Sequence, residues 1–114
     1  MAISRFENII AWQKAKDLAI TIYSLYSDCN DFGLKNQIQR ASVSVMNNIA
    51  EGFERKSNND FKQFLYIAKG SCGEVRTMLV LSHYLKINDP EKNNALLNLS
   101  EENSRLISGL IKTL

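Results

Sequence analysis

Apolar residues recur at three-and-four spacing along almost the whole chain, and polar interruptions divide that pattern into four helical segments. The first spans about Asn8 to Ser27, with Asn8 as N-cap and Trp12, Ala15, Leu18, Ala19, Ile22, Leu25 and Tyr26 forming its stripe. Ser27-Asp28-Cys29-Asn30-Asp31 is rich in turn formers, so the next helix returns antiparallel. That second helix, from Phe32 or Leu34 to Arg55, places Leu34, Ile38, Ala41, Val45, Ile49 and Gly52 on one face. Val43, Met46, Ala50 and Phe53 form a second apolar band, as expected of a helix that touches more than one neighbour. After Ser57-Asn58-Asn59-Asp60 comes the longest helix, about Asn59 to Lys86. Its interior holds Gly70 and Gly73, each costing about 1 kcal/mol relative to alanine. Periodicity resumes in phase after Gly73, which favours close approach to a neighbouring backbone over a kink. Asp89-Pro90-Glu91 then supplies a cap, a proline suited to the first helical position and a carboxylate for the helix dipole. The fourth helix continues to Leu114 through Leu96, Leu97, Leu99, Asn103, Leu106, Ile107, Leu110 and Ile111. Four helices with short connections predict an all-α, antiparallel up-down-up-down four-helix bundle, a single domain over residues 1–114.

Composition adds exclusions. Only one proline and five glycines among 114 residues disfavour an all-β fold, and the length suffices for a core without metal or disulfides. Cys29 and Cys72 fall in different segments and read as reduced thiols of a cytoplasmic protein. The N-terminal stretch lacks an apolar signal region, and no apolar run reaches the roughly 20 residues needed to span a bilayer.

Candidate chemistry is sparse. His83 is the only histidine and pairs with no Cys-x-x-Cys or Glu-x-x-His motif, so no metal site or cofactor is expected. Gly70-Ser71-Cys72-Gly73 neither follows a strand nor opens a helix, so it is no phosphate loop. Cys72 reads as a small hydrophobe, not a nucleophile. The sequence therefore points to a non-enzyme.

Two polar sets stand out. Arg40, Asn48, Glu51 and Glu74 on the central helices are expected to form a hydrogen-bonded network that sets register, with Arg40 paired to Glu51 or Glu74. Charge is also uneven. Net charge is only +2, yet Lys35 to Arg76 holds seven basic and four acidic residues, whereas Asp89 to Arg105 holds two basic and four acidic. Arg55, Lys56, Lys62 and Lys69 lie around one helix–helix turn and along the third helix. They could neutralise nucleic-acid phosphates, or simply form a solvated face.

The central residues resemble a known family, the bacterial four-helix-bundle ribosomal-RNA intervening-sequence proteins. The resemblance covers almost the whole chain. It rests on Trp12-Gln13-Lys14-Ala15, then Leu34, Gln37, Arg40-Ala41 and Ser44-Val45, and above all on Asn48-Ile49-Ala50-Glu51-Gly52-Phe53 with Arg55 following. Phe61, Phe64-Leu65, Ala68, Gly70-Ser71, Glu74 and Thr77 continue it. The resemblance implies a homopentameric barrel and similarity to the nucleic-acid-binding accessory protein of diversity-generating retroelements. The family often has prolines where this chain has Cys29-Asn30 and Val45-Met46, so a straighter second helix is expected here. The chain is also less basic than the retroelement protein. Together these readings predict a non-enzymatic oligomer that binds structured RNA or an RNA–DNA hybrid through Arg55, Lys56, Lys62 and Lys69 without sequence readout. The alternative is a scaffold whose partner is another protein.

Overall fold

A computed structural model describes residues 3–114, so the first two positions of the expected domain lie outside the described residues. A short 3-10 turn, Phe6–Asn8, precedes four helices: α1 (Ile10–Leu25), α2 (Phe32–Phe53), α3 (Asn58–Tyr84) and α4 (Pro90–Lys112). Each of α2, α3 and α4 begins where a short side chain satisfies a free backbone N–H. Asp31 accepts from the Leu34 N–H, Ser57 from the Asp60 N–H, and Asp89 from the Lys92 N–H, each at 3.1 Å. The start of α1 differs from expectation. Asn8 lies in the 3-10 turn, and Ile9 precedes the helix without a side-chain cap. The Gln13 amide instead reaches back to the Glu7 carbonyl, at 2.9 Å.

α1 packs against α2 and α4, α3 packs against the same two, and α1 and α3 lie across the diagonal. This is the up-down-up-down bundle, 43 Å long and 22 × 19 Å in cross-section. Its core has two stacked parts. Val45, Ile49, Leu65, Ala68, Cys72 and Ile107 centre one, and Leu18, Ile22, Ile38, Val75, Leu79 and Leu96 centre the other.

The glycines behave differently from the sequence expectation. A Cβ at Gly70 or Gly73 would meet no atom within 4 Å, and both residues are exposed. Gly52 is where backbones approach. A Cβ there would lie 2.7 Å from the Phe64 Cβ and 3.3 Å from the Phe61 carbonyl oxygen. The α2–α3 seam is therefore tight because of Gly52, and α3 runs unbroken past Gly70 and Gly73 with its outer face open.

The buried polar groups sit elsewhere. The Tyr26 hydroxyl meets the Ser82 hydroxyl at 2.6 Å, Asn93 donates to the Leu79 carbonyl at 2.9 Å, and Asn103 donates to the Ala11 carbonyl at 3.0 Å. These bonds tie α1 to α3, α4 to α3 and α4 to α1, and fix helix register from within the core.

Candidate nucleic-acid interface

Helical periodicity sorts the surface of α3 into three strips. Phe64, Ser71 and Glu74 face α2: Phe64 abuts Gly52, the Ser71 hydroxyl meets that of Ser44 at 2.9 Å, and Glu74 accepts from Gln37 at 3.3 Å. Lys62, Lys69 and Arg76 recur every seventh residue and so share one line, about 10 Å between neighbours at 1.5 Å per residue. Arg76 reaches Glu101 of α4 at 3.8 Å, which sets that line on the α4 side. Between the two strips runs an outward face without charge: Tyr66, Gly70, Gly73, Thr77, Leu81 and Tyr84. Tyr66 is 60% exposed and Tyr84 77%.

The four candidate cations are thus split. Arg55 and Lys56 stand at the α2–α3 turn. Arg55 contacts Glu51 at 3.4 Å and its guanidinium lies 4.8 Å from the centre of the Phe64 ring, so it is held toward α2. Lys62 and Lys69 stand on the opposite flank of α3. Among the described residues Lys56, Lys62 and Lys69 enter no ion pair, whereas Arg55 and Arg76 each do. Exposed pairs of this kind contribute at most about 1 kcal/mol, so Arg55 can be recruited by a phosphate at little cost.

The expected polar network does not form as one unit. Asn48 donates to the Ser44 carbonyl and hydroxyl, at 2.8 and 3.0 Å, and so joins α3 only through the Ser44–Ser71 contact. Glu51 is engaged by Arg55 and Glu74 by Gln37. Arg40 is exposed and, among the described residues, pairs with neither Glu51 nor Glu74, contrary to expectation. The reason is geometric. Glu51 stands eleven residues along the same helix, about 16 Å away at 1.5 Å per residue, and Glu74 is met by Gln37, one turn earlier. The core bonds through Tyr26, Ser82, Asn93 and Asn103 were missed as a register device. Their signal was present, since Tyr26 and Asn103 fall on apolar stripes.

Cys72 lacks a nucleophile's setting. Burial pushes the Cys72 thiol up to about 12, outweighing the nearby Arg76, so it stays protonated. His83 is exposed and stacks edge-on against Tyr84, and no group of three or more metal-ligating side chains occurs among the described residues. No helix there is long and apolar enough to cross a membrane.

The family model described as 23S rRNA-intervening sequence protein matches residues 7–109. The chain belongs to this family. Among solved structures, it is similar to a protein with unknown function from the S23 ribosomal protein family of Bacteroides thetaiotaomicron. The two share 26% identity over 90% of this chain and 99% of the other, with a TM-score of 0.85. No curated protein matches the chain. The four-helix architecture is therefore that of its family, and the signature around Asn48–Phe53 is the α2 segment that meets α3.

Proposed function

We propose that this intervening-sequence family member is a non-enzymatic, cytoplasmic oligomer that binds structured RNA or an RNA–DNA hybrid along its basic flank. The observation that carries this reading is the pair of Lys62 and Lys69 on one line of α3, which enter no ion pair among the described residues; Arg55 and Lys56 form a separate group at the α2–α3 turn. Phosphates attract such cations whatever the base sequence, so the contact reads charge and not bases. A single copy offers few charges, and repetition around a ring multiplies them.

Self-association is supported by the uncharged outer face of α3. Its exposed glycines leave room for another helix to come close, and their helix-propensity cost is unexplained within one chain. On the opposite corner of the bundle, α1 exposes Ile10 and Ile20 as single apolar side chains among polar ones. Two different faces suit a head-to-tail contact that closes into a ring. Closure at five is what the family resemblance implies.

The test is fluorescence anisotropy of a labelled structured RNA across a salt series, with light scattering for the oligomer. Binding should persist at physiological salt, and Lys62→Glu with Lys69→Glu should weaken it for all sequences alike. The log–log salt slope should fall by about one per lysine replaced. Sequence-selective loss, or no binding at low salt, would refute the reading. Capture of one protein partner that survives nuclease treatment would move the assignment to a protein scaffold.

A further inference from the structure

The outer ridge of α2 borders two grooves that share Asn36, Arg40 and Ser44. The one toward α1, about 500 Å³, is lined by Tyr23, Gln39, Arg40, Val43, Asn47 and Asn48 among others. Its lining contains no carboxylate, and Arg40 is its only charge. Asn48 is bound to Ser44, but the side chains of Asn36, Gln39, Arg40 and Asn47 make no hydrogen bond to the described residues. Tyr23 is 48% exposed beside them. The groove thus gathers one free guanidinium, several free amides and one open aromatic ring on two rigid helices.

From this set we infer that the α1–α2 groove holds an unpaired nucleotide of an RNA or DNA strand. The assignments follow from the side-chain chemistry. Arg40 offers a forked donor to a phosphodiester. The Tyr23 ring offers a platform on which any base can stack. Amides present both donors and acceptors, which a base edge needs and a bare phosphate does not. The volume lies within the range of small-ligand sites. An acidic peptide fits less well, because a single cation meets only one carboxylate. This inference rests on the nucleic-acid reading of the protein but uses a different face. Lys62 and Lys69 flank α3 on its α4 side, whereas the groove lies between α1 and α2. The two faces divide the work: duplex backbone on the lysine row, single-stranded nucleotide in the groove.

The experiment compares two labelled hairpins by anisotropy, one blunt and one carrying a short single-stranded tail, each made as RNA and as DNA. The full chain is tested alongside Arg40→Gln and Tyr23→Leu, both exposed positions, with circular dichroism to verify folding and light scattering for molar mass. The wild-type chain should prefer the tailed hairpin. Each groove variant should lose that preference by about fivefold or more, the scale of one stacked base, while binding the blunt hairpin unchanged. The RNA and DNA arms tell whether the sugar contributes. Equal affinity for blunt and tailed hairpins, equal weakening of both by the variants, or a change in molar mass showing that another copy fills the groove would each overturn the inference. Failure to bind either hairpin at low salt would overturn the nucleic-acid reading along with it. Loss of both on Lys62→Glu with no effect of the groove variants would overturn only the groove.

Discussion

Replacing Gly52 and Gly70 by alanine should move stability in opposite directions. Both glycines lie inside helices, where alanine is favoured over glycine by about 1 kcal/mol. At Gly70, and equally at Gly73, a Cβ meets nothing within 4 Å, so the propensity gain is uncompensated. At Gly52 the same atom lies 2.7 Å from the Phe64 Cβ, 3.0 Å from the Phe61 ring and 3.3 Å from the Phe61 carbonyl oxygen. Carbon atoms rest about 3.5–4.0 Å apart, so the Phe64 contact is about 1 Å too short. The obstructing atoms are a Cβ and a backbone oxygen, not the tip of a flexible chain, so α2 and α3 must part locally. Overpacking of this kind costs about 1–3 kcal/mol, and rigid neighbours favour the upper half of that range. Gly52→Ala is therefore expected to lose about 1–2 kcal/mol net, and Gly70→Ala to gain about 1 kcal/mol. For a chain of this length 1 kcal/mol corresponds to about 4 °C in Tm. Urea unfolding followed by circular dichroism, at a dilution where light scattering shows single chains, measures both without contributions from assembly. A Gly52→Ala protein as stable as wild type, or a Gly70→Ala monomer less stable than wild type, would refute the account of the α2–α3 seam.

Four further outcomes follow from local geometry. Lys86 ends α3 with φ of 57°, while the Ile87 N–H bonds the Ser82 carbonyl at 3.0 Å. Lys86→Gly removes left-handed strain but frees the unfolded chain, so thermal melting should show a net gain of about 0.5–1 kcal/mol. Ser57→Ala removes the α3 cap and should cost about 1 kcal/mol in the same assay. Cys72 has its thiol raised from an ordinary 9.0 to about 12 by burial. Below 9 both states keep the proton; above it only the unfolded chain releases it, so stability falls by about 1.4 kcal/mol per pH unit until about 12. Tyr26, raised by burial, acts in the same direction at higher pH. Denaturant titrations at alkaline pH should therefore show a steeper loss for wild type than for Cys72→Ala. In the native state a thiol reagent should label the half-buried Cys29 and spare Cys72.

The bundle was legible because three-and-four spacing specifies a buried stripe before any tertiary contact exists, and because Ser57, Asp89 and Pro90 carry their capping chemistry locally. Asn8 misled for the same reason. It is a good cap by type, but the chain forms a 3-10 turn through it and satisfies the Glu7 carbonyl with Gln13. The glycines show what spacing alone does contain when it is applied to faces. Gly52 follows Val45 and Ile49 on the buried stripe of α2, where a missing side chain lets helices close. Gly70 and Gly73 fall off the stripe of Leu65, Ala68, Cys72 and Val75, so they can only face outward.

Polar partnerships were far less legible, and the cause is the long reach of side chains across a seam whose register sequence does not specify. Arg40 could be matched by charge to Glu51 or Glu74, but rise along α2 removes the first and a one-turn offset gives the second to Gln37. What remains is a guanidinium without a partner among the described residues, on a ridge where the amides of Asn36, Gln39 and Asn47 are also unused. Within one copy of the chain such groups are solvated and cost nothing, so stability does not explain their concentration on one groove. The lysine row on α3 has the same character, with cations that pair with no carboxylate among the described residues. The polar groups of the core bond inside the bundle, through Tyr26–Ser82, Asn93–Leu79 and Asn103–Ala11, although the Asn103 Oδ1 meets no partner among the described residues. The unpaired donors lie outside, on two separate faces. That separation is why mutations at Arg40 or Lys62 are expected to leave unfolding curves unchanged while altering what the surface binds.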